Sequence, residues 1–373
     1  MTQTRLDRLT QILRTEGIDY VALVPGANMI YFTGLHMHLS ERPIVALFSA
    51  KGDAPILVAP FFEMGKATSG PVKLDWRTYS YRDGEDPQTV FQRALDENDI
   101  DGQVIGVEPT QMRVLEWNLL QNAAGEIKQT SAAEAIKQLR MVKDAQEVAE
   151  MRRAIEIAQQ GLTDTLPHIK AGMKESDVAA LLVDHMTKRG SQGVAFEPLI
   201  QTGLSATNPH GHAGERVLQM GDLIVIDWGC RYGNYQSDIT RTLAIGLISV
   251  ELRTLYETVK AANAAGRAAI KPGVTCEAVD RAARGVIEAA GYGEWFTHRT
   301  GHGLGLEGHE PPYMVAGETM SLRPGMTFTI EPGLYVPGVG GVRIEDDVIV
   351  TETGGESLTN FERELITVDS INQ

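Results

Sequence analysis

Cysteine is nearly absent: Cys230 and Cys276 are the two in 373 residues, and they form no CxxC pair. That excludes a disulfide framework and a sulfur-bound structural zinc, and it predicts a reducing, cytoplasmic setting. No apolar run approaches the roughly 20 residues needed to span a bilayer, so no membrane association is expected. Basic blocks are missing too, with 34 Lys and Arg against 49 Asp and Glu and a net charge of −15. Nothing is available to neutralise phosphates, which argues against nucleic acid and anionic lipid surfaces as partners. The opening residues do not read as a secretory signal, because Leu6, Leu9, Ile12 and Leu13 recur at helical spacing among charged residues. An amphipathic helix over residues 1–17 is predicted instead.

A chain of this length suggests about two domains. From Asp19 to about Lys128, short apolar runs (Tyr20 to Val24, Ile44 to Phe48, Ile56 to Ala59, Val104 to Val107) alternate with helical stretches at Glu63 to Thr68, Pro87 to Leu95 and Gln111 to Gln121. This alternation predicts an α/β layer domain over residues 1–130. Ser131 to Gly161 reads as one long helical pattern, and Glu175 to Lys188 as a second helix. Residues 131–373 then mix strands around Leu223 to Trp228, Ser237 to Ala244, Phe328 and Val342 with helices at Val250 to Ala269 and Cys276 to Ala290. Strands in hairpins beside helices predict an α+β domain.

What the second part does have is carboxylates in Gly- and Pro-punctuated segments. Asp227, Asp238, His302, Glu331 and Glu345 form a set of metal-type ligands. Four carboxylates in one pocket repel at roughly 4 kcal/mol per close pair for an effective dielectric near 20, and two divalent cations would balance them. An oxygen-rich set with one nitrogen favours manganese, cobalt, magnesium or zinc in a catalytic role. Gly233-Asn234 suits a two-residue hairpin turn, which would pair Asp227 with Thr240 and put Asp238 on the same sheet face. Glu331 and Glu345 flank a Gly/Pro-rich turn at Pro337 to Gly341, and their even separation allows one face as well. His302, between Gly301 and Gly303, is expected on a tight loop.

Bland readings compete at each position, since a lone Asp often caps a turn and a lone His is often packed or exposed. Two carboxylate hairpins around one histidine outweigh them. His309, His210 and Arg343 are further candidates, His36 and His38 are not, and the two cysteines are expected in the core. Gly303, Gly305 and Gly308 fit G-x-G-x-x-G, yet Pro311 and Pro312 forbid the helix a dinucleotide site requires.

These segments resemble the creatinase/prolidase/aminopeptidase P family of metallopeptidases: Asp227-Trp-Gly229, Tyr235 to Thr242, His298 to Pro312, Thr329 to Tyr335 and Gly341 to Asp346, with Asn28 to Gly34 in the N-terminal part. The resemblance implies a C-terminal pita-bread catalytic domain behind an α/β creatinase-type domain, and a homodimer. It assigns Asp227 to one metal, Asp238 and Glu345 as bridges, and His302 and Glu331 to the other metal of a pair, most readily Mn2+, with Co2+ or Zn2+ as alternatives. It further implies that Glu331 handles the proton of an attacking water, that His210 and His309 assist substrate and the tetrahedral intermediate, and that Arg343 meets the substrate carboxylate. The activity implied is cleavage of the Xaa-Pro bond of dipeptides or short peptides, most like bacterial Xaa-Pro dipeptidases (prolidases). The alternatives are an Xaa-Pro aminopeptidase on longer peptides, a metal-independent creatinase-type enzyme and a non-catalytic binding protein. All five ligands are present, which counts against the last two.

Overall fold

In a computed structural model that describes residues Thr2–Asp369, the chain folds as two units, Met1–Arg140 and Met141–Gln373. The first opens with helix α1 (Thr2–Glu16), whose Leu9 and Leu13 are fully buried. Strand β1 (Tyr20–Leu23), helix α2 (Ala27–Thr33), β2 (Val45–Ser49), β3 (Ile56–Pro60) and α3 (Met64–Ser69) follow. Then come β4 (Arg77–Tyr81), α4 (Pro87–Asp96), β5 (Val104–Val107), α5 (Val114–Ala123), β6 (Lys128–Ser131) and α6 (Ala133–Arg140). The six strands make one mixed sheet in the order β4-β3-β2-β1-β5-β6. Strands β1, β2 and β3 are buried at every position, which is why they stand out as continuous apolar runs. The two strands without such a run, β4 and β6, lie at the sheet's edges. His36 and His38 are exposed in an irregular segment rather than on a strand.

The long helical pattern after Ser131 is broken. Helix α6 ends at Arg140, and α7 (Ala145–Thr165) starts afresh from Asp144, whose side chain accepts from the backbone of Gln146 and Glu147 while Glu147 caps in return. Between them Lys143 N–H bonds Gly325 O at 2.8 Å. A capping box and a borrowed sheet partner therefore override the helical periodicity.

The second unit uses a helix pair against a sheet twice. Helices α7 and α8 (Glu175–Lys188) pack on a sheet built from β7 (Leu199–Thr202), β8 (Leu223–Trp228) and β11 (Ile239–Ile245), with Thr367–Val368 parallel to β11, while the short β9 (Arg231–Tyr232) and β10 (Tyr235–Gln236) form a two-stranded ribbon between β8 and β11 in the chain. Trp228 anchors this packing, its indole N–H donating to Ala158 O at 2.8 Å. Helices α9 (Val250–Ala268) and α10 (Cys276–Ala289) cover the other half. There β12 (Gly301–Gly303), β13 (Glu310–Met314), β14 (Thr327–Ile330), the hairpin β15 (Gly333–Val336) and β16 (Gly340–Arg343), β17 (Asp346–Val350) and β18 (Gly355–Ser357) form a sheet ordered β13-β12-β14-β17-β18 plus the β15-β16 ribbon. Both cysteines are buried and neither is in a disulfide. Among the described residues no helix is long and apolar enough to cross a membrane.

Candidate metal centre

The first carboxylate pair follows from one turn. Gly233 and Asn234 have φ of 58° and 79°, the two positive values a type I′ hairpin turn requires. The register it sets pairs Tyr232 with Tyr235 and runs without a slip to Thr240 opposite Asp227. Asp238 lies two residues from Thr240, hence on the same face.

The second pair comes from a hairpin that opens midway. The loop is three residues, shorter than the expected turn, and the register that pairs Gly333 with Arg343 also pairs Ile330 with Asp346. Glu331 and Glu345 therefore stand opposite one another where the ladder is interrupted. Their backbone N–H groups turn to other strands, Glu331 to Thr300 O at 2.7 Å and Glu345 to Thr240 O at 3.0 Å. That opening lets both carboxylates leave the hairpin and joins it to β11.

His302 sits at the centre of the three-residue strand β12, not on a loop. A Cβ at Gly301 would stand 1.8 Å from Thr329 O and one at Gly303 2.2 Å from Pro311 O. The flanking glycines are thus required by neighbouring backbone, which approaches too closely for any side chain. The His302 Nδ1 lies 3.1 Å from Gly303 O, so it carries the ring proton and Nε2 presents a lone pair. That lone pair faces Asp238 Oδ2 at 3.6 Å and Glu331 Oε1 at 3.4 Å.

Three groups of ligand atoms lie within 4.8 Å of one another: Asp227, Asp238 and Glu345; His302, Glu331 and Glu345; and Asp238, His302 and His309. Glu345 belongs to the first two. Electrostatics reports the crowding. Burial, then the charges of Glu345 and Asp227, push Asp238 well above the usual carboxylate range, and burial, then Glu331 and Asp227, do the same to Glu345. Burial raises Glu331 to about 7. His302 is pushed well below an ordinary histidine by burial and by His309, and so stays neutral, the form that ligates. Asp227 Oδ1 is buried with no hydrogen-bond partner among the described residues. Lone pairs facing lone pairs, a neutral imidazole and an orphaned buried oxygen are the donor chemistry that divalent cations fit.

The five residues line one cleft of about 680 Å³ together with His210, His309 and Arg343. His210 comes from an exposed loop and joins none of the three ligand groups, whereas the His309 ring leans against His302, with centroids 4.0 Å apart and planes tilted by 51°. Arg343 is buried, its Nη2 2.5 Å from Asp227 Oδ2 and its Nη1 2.7 Å from the Tyr335 hydroxyl. Several contributors escape a sequence reading. Thr240 donates to Glu345 at 2.6 Å, Asp238 N–H donates to Asp347 Oδ2 at 3.1 Å, and His298 Nε2 lies 2.9 Å from Tyr335 Oη. Tyr335 stands four residues from the candidate ligand Glu331 at the start of a strand, and that even offset is the one signal that could have flagged it.

Comparison with known proteins agrees with this geometry. Residues 149–352 match Metallopeptidase family M24, and residues 5–142 match the Creatinase/Prolidase N-terminal domain. A dipeptidase from Pyrococcus horikoshii OT3 is 40% identical, with a TM-score of 0.92 and 98% of this chain and 100% of that one covered. A prolidase from Thermococcus sibiricus is 32% identical, with a TM-score of 0.93 and 99% of both chains covered. An X-Pro aminopeptidase from Thermotoga maritima is 33% identical, with a TM-score of 0.86 and 97% and 99% covered. With its carboxylate hairpins inside the matched segment and its α/β unit in front, the chain belongs to metallopeptidase family M24.

Proposed function

We propose that this metallopeptidase is a two-metal hydrolase of the Xaa-Pro bond, acting on dipeptides in preference to longer peptides. The observation that carries the reading is the pair of ligand groups that share Glu345, Asp227 with Asp238 on one side and His302 with Glu331 on the other. Two adjacent cations with a common carboxylate are what such sharing suits. When bound, divalent cations supply charge that polarises a carbonyl and acidifies a water, with manganese, cobalt and zinc all compatible with the donors.

The chain's own residues do the rest. Glu331 accepts and passes on the proton of the attacking water. His309 and His210 donate hydrogen bonds to the developing oxyanion and the leaving nitrogen. Arg343, held by Thr240, Tyr335 and Asp227, keeps one Nη2 N–H and its positive charge for a free C-terminal carboxylate. A dipeptide brings that carboxylate next to the scissile bond, and a longer peptide does not. The named dipeptidase and prolidase among similar structures support this choice. The Thermotoga X-Pro aminopeptidase supports the runner-up, removal of an N-terminal residue from longer Xaa-Pro peptides. Two buried cysteines outside any disulfide suit a reducing, cytoplasmic setting.

Metal analysis combined with assays on Ala-Pro and Ala-Pro-Ala, after loading with manganese, cobalt or zinc, tests the reading. Cleavage of Ala-Pro alone is expected. Cleavage of Ala-Pro-Ala alone would favour the aminopeptidase, and a protein that takes up no metal and cleaves neither would overturn both.

A further inference from the structure

We propose that Arg299 is a positioning residue that fixes the proton of the His309 ring on Nε2, so that this nitrogen is a donor into the cleft. The inference rests on the reading above, in which His309 donates to the oxyanion. Arg299 and His309 line the same cleft as the five ligands. The Arg299 Nη2 lies 3.2 Å from His309 Nδ1, and its guanidinium lies over the Tyr313 ring at 4.6 Å from the centroid. Tyr313 is itself opposite His302 in the β12–β13 ladder. The cation is thus held by stacking on a residue registered to the ligand strand.

A guanidinium is permanently protonated and has donors only. Its contact with Nδ1 therefore makes Nδ1 the acceptor, and the single proton of a neutral ring must sit on Nε2. A proton on Nδ1 would set two N–H groups against each other. This decides between two uses of His309, whose ligand atom also falls within 4.8 Å of those of Asp238 and His302. With Arg299 on one nitrogen and a proton on the other, neither lone pair is offered to a cation. His309 is a hydrogen-bond donor beside the metal ligands, and Arg299 makes it one.

The test uses metal-free protein labelled with [15N]histidine, the His309 signals being identified by their loss in His309→Asn. The wild type is expected to have an unprotonated Nδ1 and a protonated Nε2. Arg299→Met should populate the opposite tautomer, and Arg299→Lys, which keeps a charged donor, should largely preserve the wild-type pattern. In metal-loaded enzyme, Arg299→Met should lower kcat about tenfold, part of the roughly 10²–10³-fold that one oxyanion donor contributes. KM and metal content should hold, and Arg299→Lys should recover most of the rate. A wild-type proton on Nδ1, a ring unaffected by Arg299→Met, or an altered ring with unchanged kcat would each overturn the proposal. A wild type with the Nε2 proton in place and no action on any Xaa-Pro substrate would overturn the proposed function instead.

Discussion

Glu345 and Asp346 are consecutive residues, both almost fully buried, and their two sides treat a carboxylate in opposite ways. Asp346 meets Arg241 Nη2 at 2.8 Å, Arg363 Nε at 2.8 Å and Arg267 Nε at 3.4 Å. Burial pushes its carboxyl up, yet Arg241 and Arg363 together hold it below its ordinary value. Glu345 turns instead toward Asp227, Asp238 and Glu331, with Arg343 as the nearby cation, and is driven well above its ordinary value. Asp347, again on the Glu345 side by strand alternation, is raised as well and keeps a buried oxygen with no hydrogen-bond partner among the described residues. A fold that can surround one buried carboxylate with three arginines leaves the next without enough of them. One side is balanced by the chain's own arginines, and the other carries the donor chemistry that the proposed cations would balance.

The comparison is broken most severely by taking a charge from the uncompensated side. Asp238→Asn should lower kcat/KM for Ala-Pro at least about a thousandfold, since metal-borne charge stabilisation amounts to several kcal/mol. The metal-free protein should keep or gain thermal stability, because a repelling carboxylate has gone. Steady-state kinetics and a melting curve on the same preparation check both halves. The mirror change, Asp346→Asn, should cost about 3–5 kcal/mol of stability, the penalty for leaving buried charges unpaired. Its melting temperature should fall by roughly 10 °C at the usual 2–4 °C per kcal/mol for a unit of this size.

Acidity separates the two sides more gently. Burial raises Glu331 to about 7, above its value in an unfolded chain, so between roughly pH 4.5 and 7 the folded state holds the extra proton. Stability of the metal-free protein should therefore fall as pH rises through that window. The loaded protein should not follow it, and melting curves from pH 5 to 8 with and without manganese measure the difference. The smallest effect is expected at Thr240, whose hydroxyl orients Glu345 at 2.6 Å. Thr240→Val should weaken metal affinity about tenfold, the lower end for loss of a partner that orients a ligand, as read by calorimetric titration.

Much of this was legible in residues. The Gly233-Asn234 turn and strand parity were enough to place Asp238 beside Asp227, because a two-residue turn leaves one register. The helices Glu175–Lys188, Val250–Ala268 and Cys276–Ala289 fall where periodicity placed them to within a residue. Edge strands β4 and β6 were missed since polar, half-exposed runs carry no apolar signal. His302 was expected on a loop because glycines on both sides suggest a turn, whereas these glycines make room for the backbone of Thr329 and Pro311. The arginines around Asp346 come from three distant stretches of chain, and no spacing rule connects them. Arg299 went unnoticed for a similar reason, since its contact with His309 depends on a ladder that shifts register between His302 and Gly303.

Counting divalent cations bound per chain, on protein stripped by chelation and reloaded with manganese, tests most directly whether the uncompensated side is a metal centre. Two ions per chain are expected, with Ala-Pro hydrolysis rising as they bind and both lost in Asp238→Asn. No bound ion, or hydrolysis that survives complete chelation, would contradict it.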